Sequence, residues 1–247
     1  VRRANSVKKI ISISVLFLLT SQLLFSQRKK VENLPEFDVK RIHFGFVLAG
    51  NSSSFSVFRA KPLNESIVSD TIRNIVVDKQ SGFNLGIISS LNLNQYFSIR
   101  FIPSIIFTQR NLEYTVLQNK KEEVYIKPIE STLLDFPILL KYKSARVNNF
   151  AAYVIGGAKY SYDLASQQNT DNISTNPKDI IVKLYKHDIA GEIGFGTDYY
   201  LPYFKFGIEL KMSYGLRNVM VKDKTMFSNP IDDLRSKMFT LSFTFEG

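Results

Sequence analysis

The stretch Phe204-Lys-Phe-Gly-Ile-Glu-Leu-Lys-Met-Ser-Tyr214 decides the fold, because apolar and polar side chains alternate along it without a break. Large apolar side chains occupy every even position, while the odd positions carry Lys, Gly, Glu or Ser. Successive side chains of a β-strand point to opposite faces, so this period of two predicts a strand with one apolar and one polar face.

The same period of two recurs along the chain, and no later segment sustains a helical period. The pattern therefore predicts eight strands. They lie within Arg41–Asn51, Phe83–Leu91, Phe97–Thr108, Leu134–Tyr142, Ala152–Ser161, Asp188–Tyr199, Phe204–Tyr214 and Phe239–Phe245. One face is bulky and apolar, whereas the other carries Gly, Ser and a few charges. That contrast favours a membrane barrel, with large side chains toward lipid and a narrow polar interior, over a soluble barrel or sandwich.

The predicted connections alternate in length. Residues 50–81, 109–132, 163–186 and 215–236 are long, whereas 92–95, 144–149 and 200–203 are short. Four long outer loops and three short inner turns are typical of outer-membrane barrels. The sequence therefore predicts an all-β fold, an eight-stranded antiparallel transmembrane β-barrel with long extracellular loops and short periplasmic turns. Two hairpins are expected above the membrane, pairing Ser54–Phe58 with Ile72–Val77 and Tyr114–Leu117 with Val124–Ile129.

The N-terminal stretch has the layout of a secretory signal peptide. Four basic residues precede the low-charge run Ile10–Phe25, which Ser26 and a polar stretch follow. An uncleaved anchor is the alternative, because Leu24 departs from the usual small-residue cleavage pattern. We predict a signal peptide at 1–26, a periplasmic N-terminal segment at 27–40 and an outer-membrane barrel at 41–247.

Composition excludes several classes of protein. The mean hydropathy of −0.05 excludes a bundle of membrane helices, and the absence of Cys excludes disulfides and thiolate metal sites. Removing residues 1–26 lowers the net charge from +10 to +6, because that segment holds four basic and no acidic residues. The remaining charge is scattered, so no nucleic-acid partner is expected.

Nine charged residues fall on the predicted inward face and are expected to form an ion-paired interior. They are Arg100, Asp135, Lys141, Lys159, Glu192, Asp198, Lys205, Glu209 and Lys211. Because eight strands enclose space only for side chains, a filled interior is favoured over a conducting pore. A symmetric turn at Leu201-Pro202 would place Asp198 opposite Lys205 and Glu192 opposite Lys211. The register expected across the connection 144–149 sets Asp135 opposite Lys159.

The sequence predicts no catalytic, cofactor or metal site. Only two His are present, with His43 expected inside near the periplasmic end and His187 expected at the outer rim. The membrane band between those positions is about 25 Å, so the two imidazoles cannot share a site. The Gly194-Phe-Gly196 stretch lies on a predicted strand and lacks the helix that a phosphate loop requires.

Two prolines lie inside predicted strands. Proline lacks the amide donor of a β-ladder, so Pro103 and Pro137 are each expected at a bulge or an edge-like position. Such a position is a candidate for a stretch of wall that faces a partner protein.

Four stretches resemble the PorT family of Bacteroidetes. They are Ile129–Ser144 with its Phe136-Pro137 pair, Ala152–Tyr160, Leu201–Gly215 and Ser236–Gly247. The resemblance implies an outer-membrane component of the type IX secretion system, which exports proteins with C-terminal signal domains and is linked to gliding motility. It implies no catalytic residues.

Three functions are therefore carried forward. The first is a non-enzymatic secretion component whose partners are outer-membrane lipid and other subunits of that machinery, with no small-molecule substrate. The second is a ligand-binding or adhesion barrel that acts through its long extracellular loops. The third is a small pore.

Overall fold

The computed structural model describes residues 31–60, 72–118, 121–172, 176–223 and 225–247. The predicted signal peptide and residues 27–30 lie outside these ranges. Residues Asn33–Gly247 form one compact unit. Within the described ranges, no helix has both the length and the apolar character to cross a membrane.

Strands make up most of the described chain. Their bounds are β1 Ile42–Arg59, β2 Ile72–Asn92, β3 Phe97–Phe101, β4 Ser104–Gln118, β5 Lys121–Lys143, β6 Phe150–Asp163, β7 His187–Tyr200, β8 Lys205–Gly215 and β9 Ile231–Glu246.

The sheet closes on itself as an antiparallel barrel. β1 pairs with β2 on one side and with β9 on the other, which leaves no free edge in the ring. β3 and β4 keep one register along β2, with Phe101 opposite Ser89 and Ser104 opposite Gly86. They act as one wall strand, and the prediction of an eight-stranded barrel is confirmed.

The two faces of the wall have opposite chemistry. The outside carries large apolar side chains, among them Phe44 at 63% and Ile193 at 67% exposed. The inside carries buried polar and charged side chains. A soluble protein buries its apolar face, whereas a barrel in lipid exposes it to acyl chains. We call the outer band of apolar side chains the apolar belt.

The connections differ between the two ends. The turn end has residues 93–96, 144–149 and 201–204, and the described parts of the connections 164–186 and 216–230 lie at the loop end. β1 starts and β9 finishes at the turn end. The predicted loop 109–132 is therefore mostly strand, because β4 and β5 continue past the belt to Gln118 and Lys121.

Two hairpins were predicted beyond the membrane, and the structure contains one of them. Tyr114 lies opposite Tyr125 and Thr115 opposite Val124, so the second predicted hairpin is confirmed. The first is wrong, because Ser54–Phe58 pairs with β9 and Ile72–Val77 pairs with β4. Ser54–Phe58 extends the β1–β9 ladder outward, and Ile72–Val77 extends the β2–β4 ladder outward. Among described residues, the β1–β2 ladder ends at Ser53 and Gln80.

Candidate functional site

The barrel interior holds all nine charged residues that the alternation placed there. Each is buried, with at most 9% of its surface exposed. Three wall strands supply the acidic groups and four supply the basic groups, so most of the charges meet partners on other strands. Buried charges are stable only when they are paired and hydrogen-bonded.

Arg100 on β3 is the centre of the group nearest the turn end. Its two terminal nitrogens bind different carboxylates, Glu209 Oε2 at 2.9 Å and Glu246 Oε1 at 2.7 Å. Lys205 Nζ also binds Glu246, at 3.1 Å, and Lys211 Nζ lies 3.3 Å from Glu209. The guanidinium therefore links β3 to β8 and β9 through charge-assisted hydrogen bonds.

Lys141 joins β5 to the same group. Its Nζ donates to Asp198 Oδ2 at 2.6 Å and lies 3.5 Å from the centroid of the Tyr153 ring. The Tyr153 hydroxyl donates to Glu209 at 3.0 Å. An aromatic ring that contacts a cation and a carboxylate fills the interior with both apolar volume and polar partners.

A second group lies nearer the loop end. Lys159 Nζ on β6 donates to Asp135 Oδ2 at 2.7 Å and lies 3.6 Å from Glu192 Oε1. One cation thus serves carboxylates on both neighbouring strands, β5 and β7.

Glu246 was missed by the sequence analysis. It continues the alternation of Thr240, Ser242 and Thr244 on β9, and that signal was sufficient to place it inside. With Glu246 included, the two ion-paired groups hold five basic and five acidic residues, so together they carry no net charge.

The predicted registers are wrong by two residues. Asp198 lies opposite Gly207, Glu192 opposite Ser213, and Asp135 opposite Ser161. The β7–β8 turn takes four residues, 201–204, with Pro202 at its second position, which is the position that proline favours in a tight turn. Asp198 still reaches Lys205 diagonally at 3.7 Å.

The predicted Glu192–Lys211 pair does not form. Glu192 contacts Lys159 and Lys211 contacts Glu209. A shift of two residues keeps every side chain on its predicted face but exchanges its partners.

The two prolines do not mark bulges or edges. Pro137 lies within β5, opposite Lys159 on β6, and Pro103 lies in the two-residue break between β3 and β4. The register along β5 does not shift across that break, so that Ile102 falls opposite Pro137. The Ser104 hydroxyl donates to the Ile102 carbonyl at 2.7 Å and replaces the donor that Pro137 lacks. Pro103 is half-buried on the outer face, whereas Pro137 is buried inside, so only Pro103 faces outward. A partner at this wall stays a prediction.

Residues 33–40, here called the strap, cover the turn end of the barrel. Phe37 is 6% exposed and stacks on His43 with 3.8 Å between ring centroids. Asn33 donates to the Tyr200 carbonyl at 2.9 Å. Asp38 pairs with Lys143 and accepts a hydrogen bond from the Tyr200 hydroxyl at 3.0 Å.

These contacts change the pKa of the Asp38 carboxyl. Partial burial alone would raise its pKa, but the bonds from Lys143 and Tyr200 outweigh burial and lower the pKa below its ordinary value. The strap is therefore held by an ionised carboxylate as well as by an aromatic stack.

The loop end is covered by a separate apolar cluster, here called the cap. Loop residues pack there against strand residues that project past the belt. Its buried members are Phe55, Leu112, Tyr114, Val116, Ile129, Val182, Leu184, Val219, Met220, Phe227, Ile231 and Leu234. The Lys127 ammonium donates to the Pro177 and Lys178 carbonyls at 2.7 and 2.9 Å and ties the 164–186 loop to β5.

Two small cavities lie between the strap and the cap among the described residues. A cavity of about 30 Å³ lies under the cap and one of about 20 Å³ lies beside the strap. Each has room for one or two water molecules. A larger cavity, of about 330 Å³, lies outside this interior, between β5 and the 164–184 loop.

The two histidines lie at opposite ends. His43 is 1% exposed beside Phe37, and its Nε2 lies 3.1 Å from the Lys40 carbonyl. His187 is exposed at the start of β7, with its Nδ1 2.5 Å from the Tyr160 hydroxyl. In the described part of the chain, no three His, Asp or Glu lie close enough together to hold a metal ion.

Comparisons with solved structures return small outer-membrane barrels. Neisserial surface protein A is 12% identical with a TM-score of 0.42, covering 82% of this chain and 96% of that one. OprG from Pseudomonas aeruginosa is 17% identical with a TM-score of 0.38, covering 83% and 94%. Ail, the attachment invasion locus protein of Yersinia pestis, is 13% identical with a TM-score of 0.36, covering 84% and 100%.

No curated protein matches the sequence. The family model described as "Outer membrane protein beta-barrel domain" matches residues 22–221, which is most of the chain. The closed ring, the apolar belt and the polar interior are the features that an outer-membrane location requires. The chain is therefore an outer-membrane protein and belongs to the outer membrane protein β-barrel domain family.

Proposed function

We propose that this chain is a non-enzymatic, PorT-like component of the type IX secretion machinery, which exports proteins with C-terminal signal domains and is linked to gliding motility. The observation that carries the proposal is the filled interior, in which the two ion-paired groups balance in charge. Ion pairs occupy the interior between the strap and the cap, so no protein substrate can pass through this barrel. Its contribution to export then lies in the surfaces that it offers to other subunits and to lipid.

The resemblance to PorT supports this choice among barrel functions. The four similar stretches correspond to β5, β6, the β7–β8 turn with β8, and β9. They include seven of the ten interior charges of the two ion-paired groups, namely Asp135, Lys141, Lys159, Lys205, Glu209, Lys211 and Glu246. The other subunits of the machinery are the partners we propose, and no nucleic acid or small-molecule substrate is part of the proposal.

The secreted proteome of a clean deletion strain tests the proposal. We expect proteins with C-terminal signal domains to disappear from the medium and to accumulate in the periplasm. Complementation with the wild-type gene should restore export. An unchanged secreted proteome would refute a secretion role.

A ligand-binding or adhesion barrel is the second candidate, and the cap favours it. Phe227 and Leu234 are fully buried there, so the loop end is a packed platform beyond the membrane rather than a set of unsupported loops. Substituting Phe227→Ala should loosen the cap while leaving the apolar belt intact. Normal export with lost surface binding would favour this candidate, whereas lost export in the deletion strain favours the first.

A further inference from the structure

We propose that three basic side chains on the outer wall bind the phosphate groups of an anionic lipid in the outer leaflet. They are Arg217, just after β8, and Arg235 and Lys237 on β9, here called the basic rim. None of them belongs to the interior ion pairs, and the site does not depend on the secretion role.

The alternation along β9 places two of these cations outside the barrel. Phe239, Leu241 and Phe243 are 41%, 45% and 38% exposed and belong to the apolar belt. Lys237 and Arg235 continue the same face toward the loop end, directly above the belt. Residues two apart on one face of a strand lie about 7 Å apart, a spacing that a phosphorylated headgroup can span.

Each cation of the basic rim lies near an aromatic ring. Lys237 Nζ is 5.4 Å from the centroid of Phe239, and the Arg235 guanidinium is 5.4 Å from that of Phe58. The Arg217 guanidinium is 5.6 Å from the ring of Tyr185. The first two contacts hold Lys237 and Arg235 against the wall, at the level where a belt of rings meets lipid headgroups. Arg217 and Tyr185 lie in the connections next to β8 and β7.

Most of the positive charge on the basic rim is not neutralised by the protein. Among the ion pairs of the described residues, Arg217 and Lys237 have no carboxylate partner. Arg235 binds Asp233 through Nε alone, at 2.7 Å. An external anion is therefore the complement that this surface lacks.

The opposite wall carries less positive charge at this height. There β4 presents Gln109 and Asn111 outward, and β5 presents Thr132 and Glu130, none of which is basic. On β2, near the same height, Lys79 is exposed. Positive charge is therefore denser on the side of β8 and β9, although it is not confined to that side.

A lipid fits this surface better than a free phosphate ion. The apolar belt starts directly below the cations, so acyl chains can cover Phe239 and Leu241 while the phosphate meets Lys237. Basic side chains at a membrane surface contribute about 1 kcal/mol each toward anionic headgroups. Tyr214, opposite Lys237 on β8, adds a hydroxyl on the same face.

Native mass spectrometry of the full-length protein in a non-ionic detergent tests the site. The probe is diphosphorylated lipid A, titrated against wild type and against Arg217→Gln/Lys237→Gln. We expect the double variant to lose at least about tenfold in apparent affinity, following from two surface charges. The matched control is Arg73→Gln/Lys121→Gln, which removes two exposed charges from β2 and β5 and should leave the affinity unchanged.

Two further ligands separate the sources of the phosphate. Dephosphorylated lipid A should bind wild type and the rim variant equally and weakly, and inorganic phosphate at millimolar concentration should not displace the intact lipid. Equal binding of intact lipid A by wild type and rim variant would overturn the proposal. Displacement by inorganic phosphate would overturn it too, because the site would then recognise a free ion.

Discussion

Arg100 on β3 and Glu246 on β9 lie 2.7 Å apart across the barrel interior. The strand that carries Glu246 also closes the ring against β1. One ion pair therefore joins the closing strand to a wall strand that is not its neighbour in the sheet.

Glu246→Gln should destabilise the barrel by roughly 3–5 kcal/mol, because it leaves two buried cations without a full complement of charge. Unfolding in urea, with the protein in lipid vesicles, measures the effect. The matched control is Asp232→Asn, which breaks the exposed pair with Lys222 and should cost about 1 kcal/mol or less. Equal losses in both variants would contradict a structural role for the buried pair.

The wild-type protein should not conduct ions across a planar lipid bilayer. Lys159 and the group around Arg100 occupy the interior, and the cavities of about 30 and 20 Å³ have room for one or two water molecules each. A large porin, reconstituted in the same bilayer, gives the positive control. Stable single-channel currents that change in Lys211→Ala would show that the interior is an open path.

Phe37→Ala should release the strap without unfolding the barrel. The ring fills the space between His43 and Tyr200, and its removal takes away both aromatic contacts. We expect faster amide exchange in residues 33–40, read by hydrogen–deuterium exchange, with unchanged exchange in the wall strands. Val39→Ala is the control, since Val39 is 81% exposed and should have no effect.

The strap should also loosen in acid. The Asp38 pKa is lowered in the folded state, so its contribution is complete above the ordinary carboxyl pKa of 3.8 and is lost as pH falls through the lower folded value. Amide exchange of residues 33–40, corrected for intrinsic rates, should rise below about pH 4. Asp38→Asn should show fast exchange at neutral pH and no further acid step. An acid step of the same size in that variant would assign the effect to another group.

Ser104→Ala should destabilise the wall by about 1–3 kcal/mol, because the Ile102 carbonyl would lose its donor inside the barrel wall. The Pro137→Ala variant supplies a backbone donor at the same place. In that background, Ser104→Ala should cost clearly less. A double-mutant cycle, with free energies of unfolding measured in urea, gives the coupling between the two positions. If the losses of the two single variants simply add, the Ser104 hydroxyl does not replace the amide donor that Pro137 lacks.

Alternation was enough to predict which side chains point into the barrel and which point outward. Along a regular strand, this direction depends only on whether the residue stands at an odd or an even position. Lys159 and Asp198 were placed inside for that reason. Partners depend on the register, and the register depends on where a turn is centred. The β7–β8 turn is centred between Pro202 and Tyr203 rather than between Leu201 and Pro202, so the predicted partners moved by two.

Other features have no local signal in the sequence. Phe37 reads as an isolated aromatic residue before the first strand, and only the folded barrel brings Tyr200 and His43 around it. Pro137 reads as a defect in a strand, and its compensation comes from Ser104 on the neighbouring strand. Glu246, by contrast, was predictable, since it keeps the parity of Thr244.

The filled interior has a consequence for the cell that makes this protein. An open barrel lets small solutes leak in proportion to its copy number, so its abundance must be limited. A barrel whose interior is occupied by its own side chains carries no such limit. The envelope can accommodate as many copies as its partners require and still remain a permeability barrier.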